Sequence, residues 1–238
     1  MTPLLAKLET RDQLSDAERN ALLALRATSR RVAAGQDLVR ERDRPVESIL
    51  LLEGYAARYT SLSDGSRQIT AIHVAGDFVD LQSFLLHTMD HSVGAMSDCA
   101  VASVPHEALK AVTDAFPHLT RLLWLNTLID SAIHRRWLVT MGRLPAAARL
   151  AHLICELYRR LEVVGLVRDG GFDLPLTQAE LADVLGLSTV HVNRVVQTLR
   201  QQGMIAWPGR VLTVLDWDRL QAYAEFDPTY LHLDREPR

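Results

Sequence analysis

Residues 187–200 read LSTVHVNRVVQTLR, and the residue types in this run separate into two faces. Val192, Val195, Val196 and Leu199 recur at i, i+3, i+4 and i+7, the spacing that gathers one apolar stripe on a helix. With that stripe turned inward, Val190, Asn193, Arg194, Gln197 and Gln201 point outward, flanked by Thr189 and His191. One guanidinium, several amides and almost no acid make a surface suited to nucleic acid. A helix entering the major groove needs side chains that donate to and accept from base edges, with little negative charge beside phosphate. Arg194 can pair bidentately with a guanine, and Asn193 or Gln197 can reach adenine or phosphate. Ser188, Thr189 and His191, around the helix start, can bond phosphate oxygens with help from the positive helix end.

The elements needed to hold such a helix are written on either side of it. Upstream lies LTQAELADVLGLS, in which Thr177 and Glu180 form a capping box that starts a first helix. Leu181, Val184 and Leu185 supply its buried side, Gly186 gives the backbone freedom for a sharp turn, and Ser188 caps the second helix. Two short helices joined this way form a helix-turn-helix. Downstream, GMIAWPGRVLTVLD reads as two short strands around Pro208-Gly209, a hairpin wing. Between Thr177 and Arg210 the charges are Arg194, Arg200 and Arg210 against Glu180 and Asp183, so amide donors and the helix dipole must add to a small positive excess.

Ahead of this unit the texture differs. Ser15 and Glu18 make another capping box, and LSDAERNALLALRA reads as a short amphipathic helix. From about residue 30 to 105, short branched runs (RRVAA, ESILLLEG, YAARYTSL, RQITAIHVA, VASVP) alternate with turn signals at Gly35, Gly54, Asp64-Gly65 and Gly76-Asp77. That rhythm predicts an antiparallel sandwich or barrel whose ends are ligand mouths. Residues 117–142 predict a long helix begun by Pro117, with Leu122, Leu125, Ile129, Ala132, Ile133 and Trp137 on or near one stripe. Carrying Trp124 and Trp137 too, it offers more apolar surface than one small barrel covers, which favours pairing with a second copy. Met141-Gly142 and Pro145 predict a hinge, followed by a helix over about 145–164. The expected units are 1–116 (N-terminal helix and sensor domain), 117–142 (dimerisation helix) and 143–238 (DNA-binding domain).

The whole chain, 238 residues with 48% apolar and 23% charged residues and a net charge of -3, has the balance of an ordinary globular protein. A mildly acidic DNA binder must concentrate its positive charge locally. The first residues lack the basic-then-apolar run of a signal peptide, and no window is apolar enough to span a membrane; a cytoplasmic location and no membrane partner follow as expectations. Cys99 and Cys155 are too few for an all-cysteine metal site. No Gly-rich phosphate loop, H-E-x-x-H or G-x-S-x-G is present, so an enzyme is not expected. His87 and His91 have metal-like spacing but no assignable third ligand, and Cys99 reads as a small core residue.

Barrel, long helix and winged helix in this order resemble the Crp/Fnr family of bacterial transcription regulators over roughly residues 15–225. The resemblance rests on the turn glycines, on Gly76-Asp77-Phe78, and most specifically on LTQAELADVLGLSTVHVNRVVQTLRQQGMI. It implies an α+β chain: an N-terminal antiparallel, jelly-roll-like β-roll of the cyclic-nucleotide-binding type, a dimerisation helix and a C-terminal winged helix-turn-helix. It also implies a homodimer on a palindromic double-stranded DNA operator, with RNA polymerase as a further partner. Arg194 falls on the family's guanine-reading arginine, and Ser188, His191, Thr177 and Gln178 on positions that touch phosphate. Val190 stands where many members have a glutamate, which changes the expected operator: valine can pack on a thymine methyl but cannot accept from cytosine.

The ligand positions of the cyclic-AMP-binding members depart further. Leu81 replaces their ribose-binding glutamate, and His91, followed by Ser92, replaces their phosphate-binding arginine. Cyclic AMP would lose its main charge-assisted contacts here. The oxygen-sensing members use an N-terminal cysteine cluster, and no cysteine precedes Cys99. Haem would have to draw its axial ligands from His73, His87 and His91, histidines better explained as ordinary surface or hydrogen-bonding residues. The expected protein is therefore a DNA-binding regulator with no cofactor, sensing an unidentified small molecule or nothing. The competing reading is a ligand-binding signalling module whose winged helix docks a protein partner.

Overall fold

The computed structural model describes residues 1–238. It opens with α1 (Thr2–Arg11), which carries no side-chain cap and whose one start signal is Pro3 in its first turn. Its Leu4, Leu5 and Leu8 are buried, together with Lys7 and Arg11. In α2 (Asp16–Leu23) the Ser15–Glu18 capping box is present as expected, although the helix ends before the predicted ALRA tail.

Two antiparallel sheets follow. The first, in the order β1-β7-β3, uses β1 (Thr28–Val32), β3 (Glu47–Glu53) and β7 (Cys99–Pro105). The second, β2-β6-β4-β5, uses β2 (Asp37–Val39), β4 (Ala56–Ser61), β5 (Arg67–His73) and β6 (Ser92–Ala95). Val32, Ile49, Leu51, Ala56, Val93 and Val101 share one buried cluster between them, and Cys99 lies in it, 1% exposed. The short β2 and β6 and the helices α3 (Ser83–Leu86) and α4 (His106–Ala115) carried no distinct sequence signal. At Gly76, φ is +88° and a Cβ would lie 2.6 Å from the Pro3 carbonyl oxygen, so only glycine lets α1 pack on this turn.

The long helix α5 runs Pro117–Arg143. Leu144 is extended, Pro145 caps α6 (Ala146–Val163), and the winged unit follows. That unit contains β8 (Gly171–Asp173), α7 (Gln178–Leu185), α8 (Thr189–Gln201), β9 (Ile205–Ala206) and β10 (Val211–Val214), with sheet order β8-β10-β9. The wing thus has a third strand, since Leu212 of β10 pairs with Phe172 of β8. Helix α9 (Trp217–Tyr223) and a 3₁₀ turn (Pro228–Leu231) end the regular structure.

Trp137 corrects one expectation. It is buried, and its indole donates to Glu156 Oε2 at 3.1 Å, so it packs inside the chain rather than adding to an outer surface. Trp124 does face outward, 63% exposed. The predicted hinge also lies within packed structure. One apolar cluster contains Tyr55, Ile69 and Ile72 of the roll, Ile129 and Ile133 of α5, and Leu150, Val184 and Val192 beyond the hinge. Polar contacts cross the same boundary: Arg67 pairs with Asp183 at 2.6 Å, Gln68 donates to the Asp183 carbonyl, and Tyr55 donates to the Asp173 carbonyl.

Candidate nucleic-acid interface

The first helix of the pair starts at Thr177, whose hydroxyl accepts from the Glu180 backbone N–H at 3.1 Å while Glu180 reaches back to the Thr177 N–H at 2.8 Å. It ends at Gly186 in the left-handed region, φ +63°, where a Cβ would press on Met141 at 3.3 Å. Ser188 then caps α8 by accepting from the His191 N–H at 3.3 Å. Val192, Val195 and Leu199 are buried and Val196 is half-buried, so the apolar stripe points inward as its spacing requires.

The opposite face is open. Thr177, Gln178, Ser188, Thr189, Val190, His191, Asn193, Arg194 and Gln197 are all exposed. Gln178, Thr189, Val190, Asn193 and Arg194 line one shallow depression, which joins the start of α7 to the middle of α8. The hydroxyls of Thr177 and Ser188 are engaged as caps, a role that also fixes where both helices begin. Two of the nearby acids are neutralised, Asp183 by Arg67 and Asp173 by Arg210 at 2.9 Å, while Glu180 is turned back onto Thr177 as part of the capping box. Arg210, counted in the sequence as free positive charge on the wing, is therefore held in an ion pair, which leaves Arg194 and Arg200 as the cations of the helix.

Comparison with known proteins agrees with this geometry. A cyclic nucleotide-binding domain model matches residues 29–115, and a Crp-like helix-turn-helix domain model matches residues 148–223. The transcriptional activator protein FnrL of Cereibacter sphaeroides is 30% identical over 209 residues, covering 86% of this chain and 84% of the relative. The chain belongs to the Crp/Fnr family of transcription regulators. The transcriptional activator protein anr of Pseudomonas aeruginosa is 27% identical, covering 80% of this chain and 78% of the relative. Among solved structures, FixK2 from Bradyrhizobium japonicum superposes with a TM-score of 0.76 at 26% identity, over 84% of this chain and 98% of that one.

In this Crp/Fnr protein the three positions aligned with a nucleotide site are not gathered around one cavity. Leu81 lines an internal cavity, but His91 and Ser92 do not. His91 is engaged at both ring nitrogens, with Asp90 at 2.5 Å and Gln82 at 3.1 Å. Burial, then the nearby Arg58, holds its pKa below the usual histidine value. The Ser92 hydroxyl accepts from the Glu41 N–H at 3.0 Å. His87 ends α3 with φ +58°, so His87 and His91 do not share a helix face, and no group of three metal-ligating side chains includes them. His73 is buried within the roll, 2% exposed.

Reading the sequence missed the contacts made by Lys7, Arg11, Arg58 and Arg160. These cations lie in α1, β4 and α6, up to 153 positions apart between Lys7 and Arg160 (160 − 7). No local spacing connects them. An available hint lay in α6, where His152, Glu156 and Arg160, four residues apart, break the helix's apolar face.

Proposed function

We propose that the chain binds double-stranded DNA sequence-specifically as a homodimer, with α8 of each subunit in successive major grooves. The observation that carries this reading is the open face of α8, where Arg194 stands exposed beside Asn193, Val190 and Gln178 with no acid to neutralise it. Arg194 would read guanine, Asn193 and Gln197 adenine or phosphate, and Val190 a thymine methyl. Thr177, Gln178, Ser188, Thr189 and His191 would set the register on the phosphates.

The outer side of α5 supports the dimer. Trp124, Leu128, Ser131, Arg135 and Leu138 are exposed and step by four, three, four and three, the 3.5-residue period of a two-helix seam. Leu85 and Leu86, also exposed, extend the apolar area into a groove beside Trp124. A two-fold pair places two recognition helices about 34 Å apart, one helical turn of DNA.

In the roll, a His91 already engaged by Asp90 and Gln82 and an apolar Leu81 argue against cyclic AMP. The family relatives named as transcriptional activators support RNA polymerase as a second partner, a cytoplasmic location and no catalytic role. No helix is long and apolar enough to cross a membrane.

Selection from a random duplex library, followed by binding assays at several salt concentrations, tests the reading. The expected result is a palindromic site, a 2:1 complex and affinity that falls steeply with salt. A monomer that enriches no sequence would overturn it. Undiminished DNA affinity after Arg194→Ala would favour a protein-docking role instead.

A further inference from the structure

A cavity of about 60 Å³ lies where α1, the roll, α5, α6 and the C-terminal tail meet. It has a strongly cationic lining. Lys7, Arg11, Arg58 and Arg160 face only two lining carboxylates, Asp77 and Asp130. Asp77 is shared by Lys7 at 2.5 Å and Arg160 at 2.9 Å, and Asp130 pairs with Arg58 at 3.0 Å. Arg160 also pairs with the fully buried Glu156 at 3.1 Å. Arg11 makes no ion pair. Its Nη1 donates to the Asn126 amide oxygen at 2.9 Å and, weakly, to the Lys7 carbonyl at 3.5 Å.

Three nitrogens of the lining have no partner within the protein: Arg11 Nε, Arg58 Nε and His73 Nε2. Their residues are 8%, 8% and 2% exposed. A buried guanidinium without a counter-ion, beside a second orphaned arginine N–H, is costly unless something negative answers it. His73, whose pKa burial pulls down to about 3, is a neutral imidazole that can donate from one ring nitrogen. Burial weighs on two of the lining cations in the same sense, pulling Lys7 down to about 8 and Arg11 to about 10 against the attraction of Asp77.

We propose that this cavity binds a small oxyanion, a planar or tetrahedral group the size of nitrate, acetate or phosphate, held by Arg11, Arg58 and His73. Its volume accepts a handful of water-sized groups, too few for a nucleotide. Arg11 turns an unpartnered Nε to such an oxyanion and gains its missing counter-charge. Arg58, whose Nη1 and Nη2 are held by His134 and Asp130, adds its Nε. The site meets the positions aligned with a nucleotide only at Leu81: His91 and Ser92, aligned with the phosphate contacts, lie outside it, and Lys7, Arg11 and Arg160 come from outside the roll.

The location gives the ligand leverage. Arg160 belongs to α6, ahead of the helix-turn-helix, and donates to the Ile72 carbonyl of β5 at 2.8 Å. Leu231 and Leu233 of the tail line the cavity, and the tail is tied to α1 where Glu236 N–H donates to the Arg11 carbonyl at 2.9 Å. An anion seated here ties α1 to the roll beside the Arg160–Asp77 pair that joins the roll to α6, and so couples indirectly to the DNA-binding half. This coupling, though not the binding itself, rests on the DNA-binding function proposed above.

Calorimetric titration of the full chain with sodium nitrate, acetate and inorganic phosphate, each against chloride at constant ionic strength, tests the proposal and separates the three sources of the group. Saturable 1:1 binding of at least one of them is expected, weakened at least tenfold in Arg11→Gln. Asn126→Asp provides the second arm. It gives Arg11 an internal carboxylate, so it should abolish anion binding while raising the thermal midpoint of the ligand-free protein. Linear, unsaturable heats for all three anions, or equal binding by wild type and Asn126→Asp, would overturn the proposal. Operator affinity, measured in parallel with and without the anion, keeps the two ideas apart: a chain that binds DNA but no oxyanion defeats only this one.

Discussion

Arg194 on α8 and Arg160 on α6 carry the same side chain in opposite circumstances. Arg194 stands in solvent on a face cleared of acid, and nothing in its own chain holds it. Arg160 is buried, bonded to Asp77, Glu156 and a β5 carbonyl, and surrounded by other cations. An exposed charge keeps its hydration and adds little to folding, so its value appears when a partner arrives. A buried charge has lost its water and must be answered within the fold. The first arrangement suits recognition of an external partner. The second binds separate parts of one chain together.

Substituting each arginine sharpens that contrast. Arg160→Leu leaves the fully buried Glu156 and the shared Asp77 short of a partner, and should lower unfolding stability by roughly 3–5 kcal/mol in urea titrations. Arg194→Ala should leave that stability within about 0.5 kcal/mol while costing roughly 1–3 kcal/mol of operator binding. If both variants lost stability equally, the division between a free and a committed arginine would fail.

Smaller effects follow for the groups that support each region. Ser188→Ala removes the cap of α8 and should cost about 1 kcal/mol of stability by chemical denaturation, with a parallel loss of DNA affinity. Arg67→Ala breaks the partly exposed pair that ties the roll's hairpin to α7; less than about 1 kcal/mol should be lost.

A pH series probes a third charged cluster. His118 bridges Asp12 and Glu18 at 3.0 and 2.8 Å, and although burial opposes it, the two carboxylates raise its pKa above the ordinary 6.5. Burial likewise opposes the carboxylates, yet hydrogen bonds to His118 and to backbone N–H groups hold both below their usual 3.8 and 4.5. The histidine's contribution is complete below pH 6.5 and fades as pH rises through its folded value, while the carboxylates' is complete above pH 4.5 and fades on acidification. The clamp is therefore fullest between about pH 4.5 and 6.5. His118→Gln should lower the thermal midpoint more at pH 6 than at pH 8.5. Equal losses at the two values would show that His118 acts through packing alone.

The elements that carried local signals were readable in advance. The two capping boxes, Gly186 at the turn, the four-residue apolar stripe of α8 and the hairpin around Pro208-Gly209 all lie within a few residues of the structure they direct. Helix α1 escaped because it has no side-chain cap, and β2 and β6 because strands of three and four residues leave little alternation to detect. Trp137 was placed on the correct helix, but its burial depends on Glu156 reaching its indole from α6, a contact 19 positions away.

The sequence alone determined the order of parts and the outward face of the recognition helix, because capping, turn geometry and helical periodicity act over one or two turns. Tertiary structure alone decided that the roll and the winged helix share one apolar cluster, and that four cations from three distant segments surround a single cavity. Burial and charge pairing depend on which segments meet in space. No periodicity along the chain encodes that meeting.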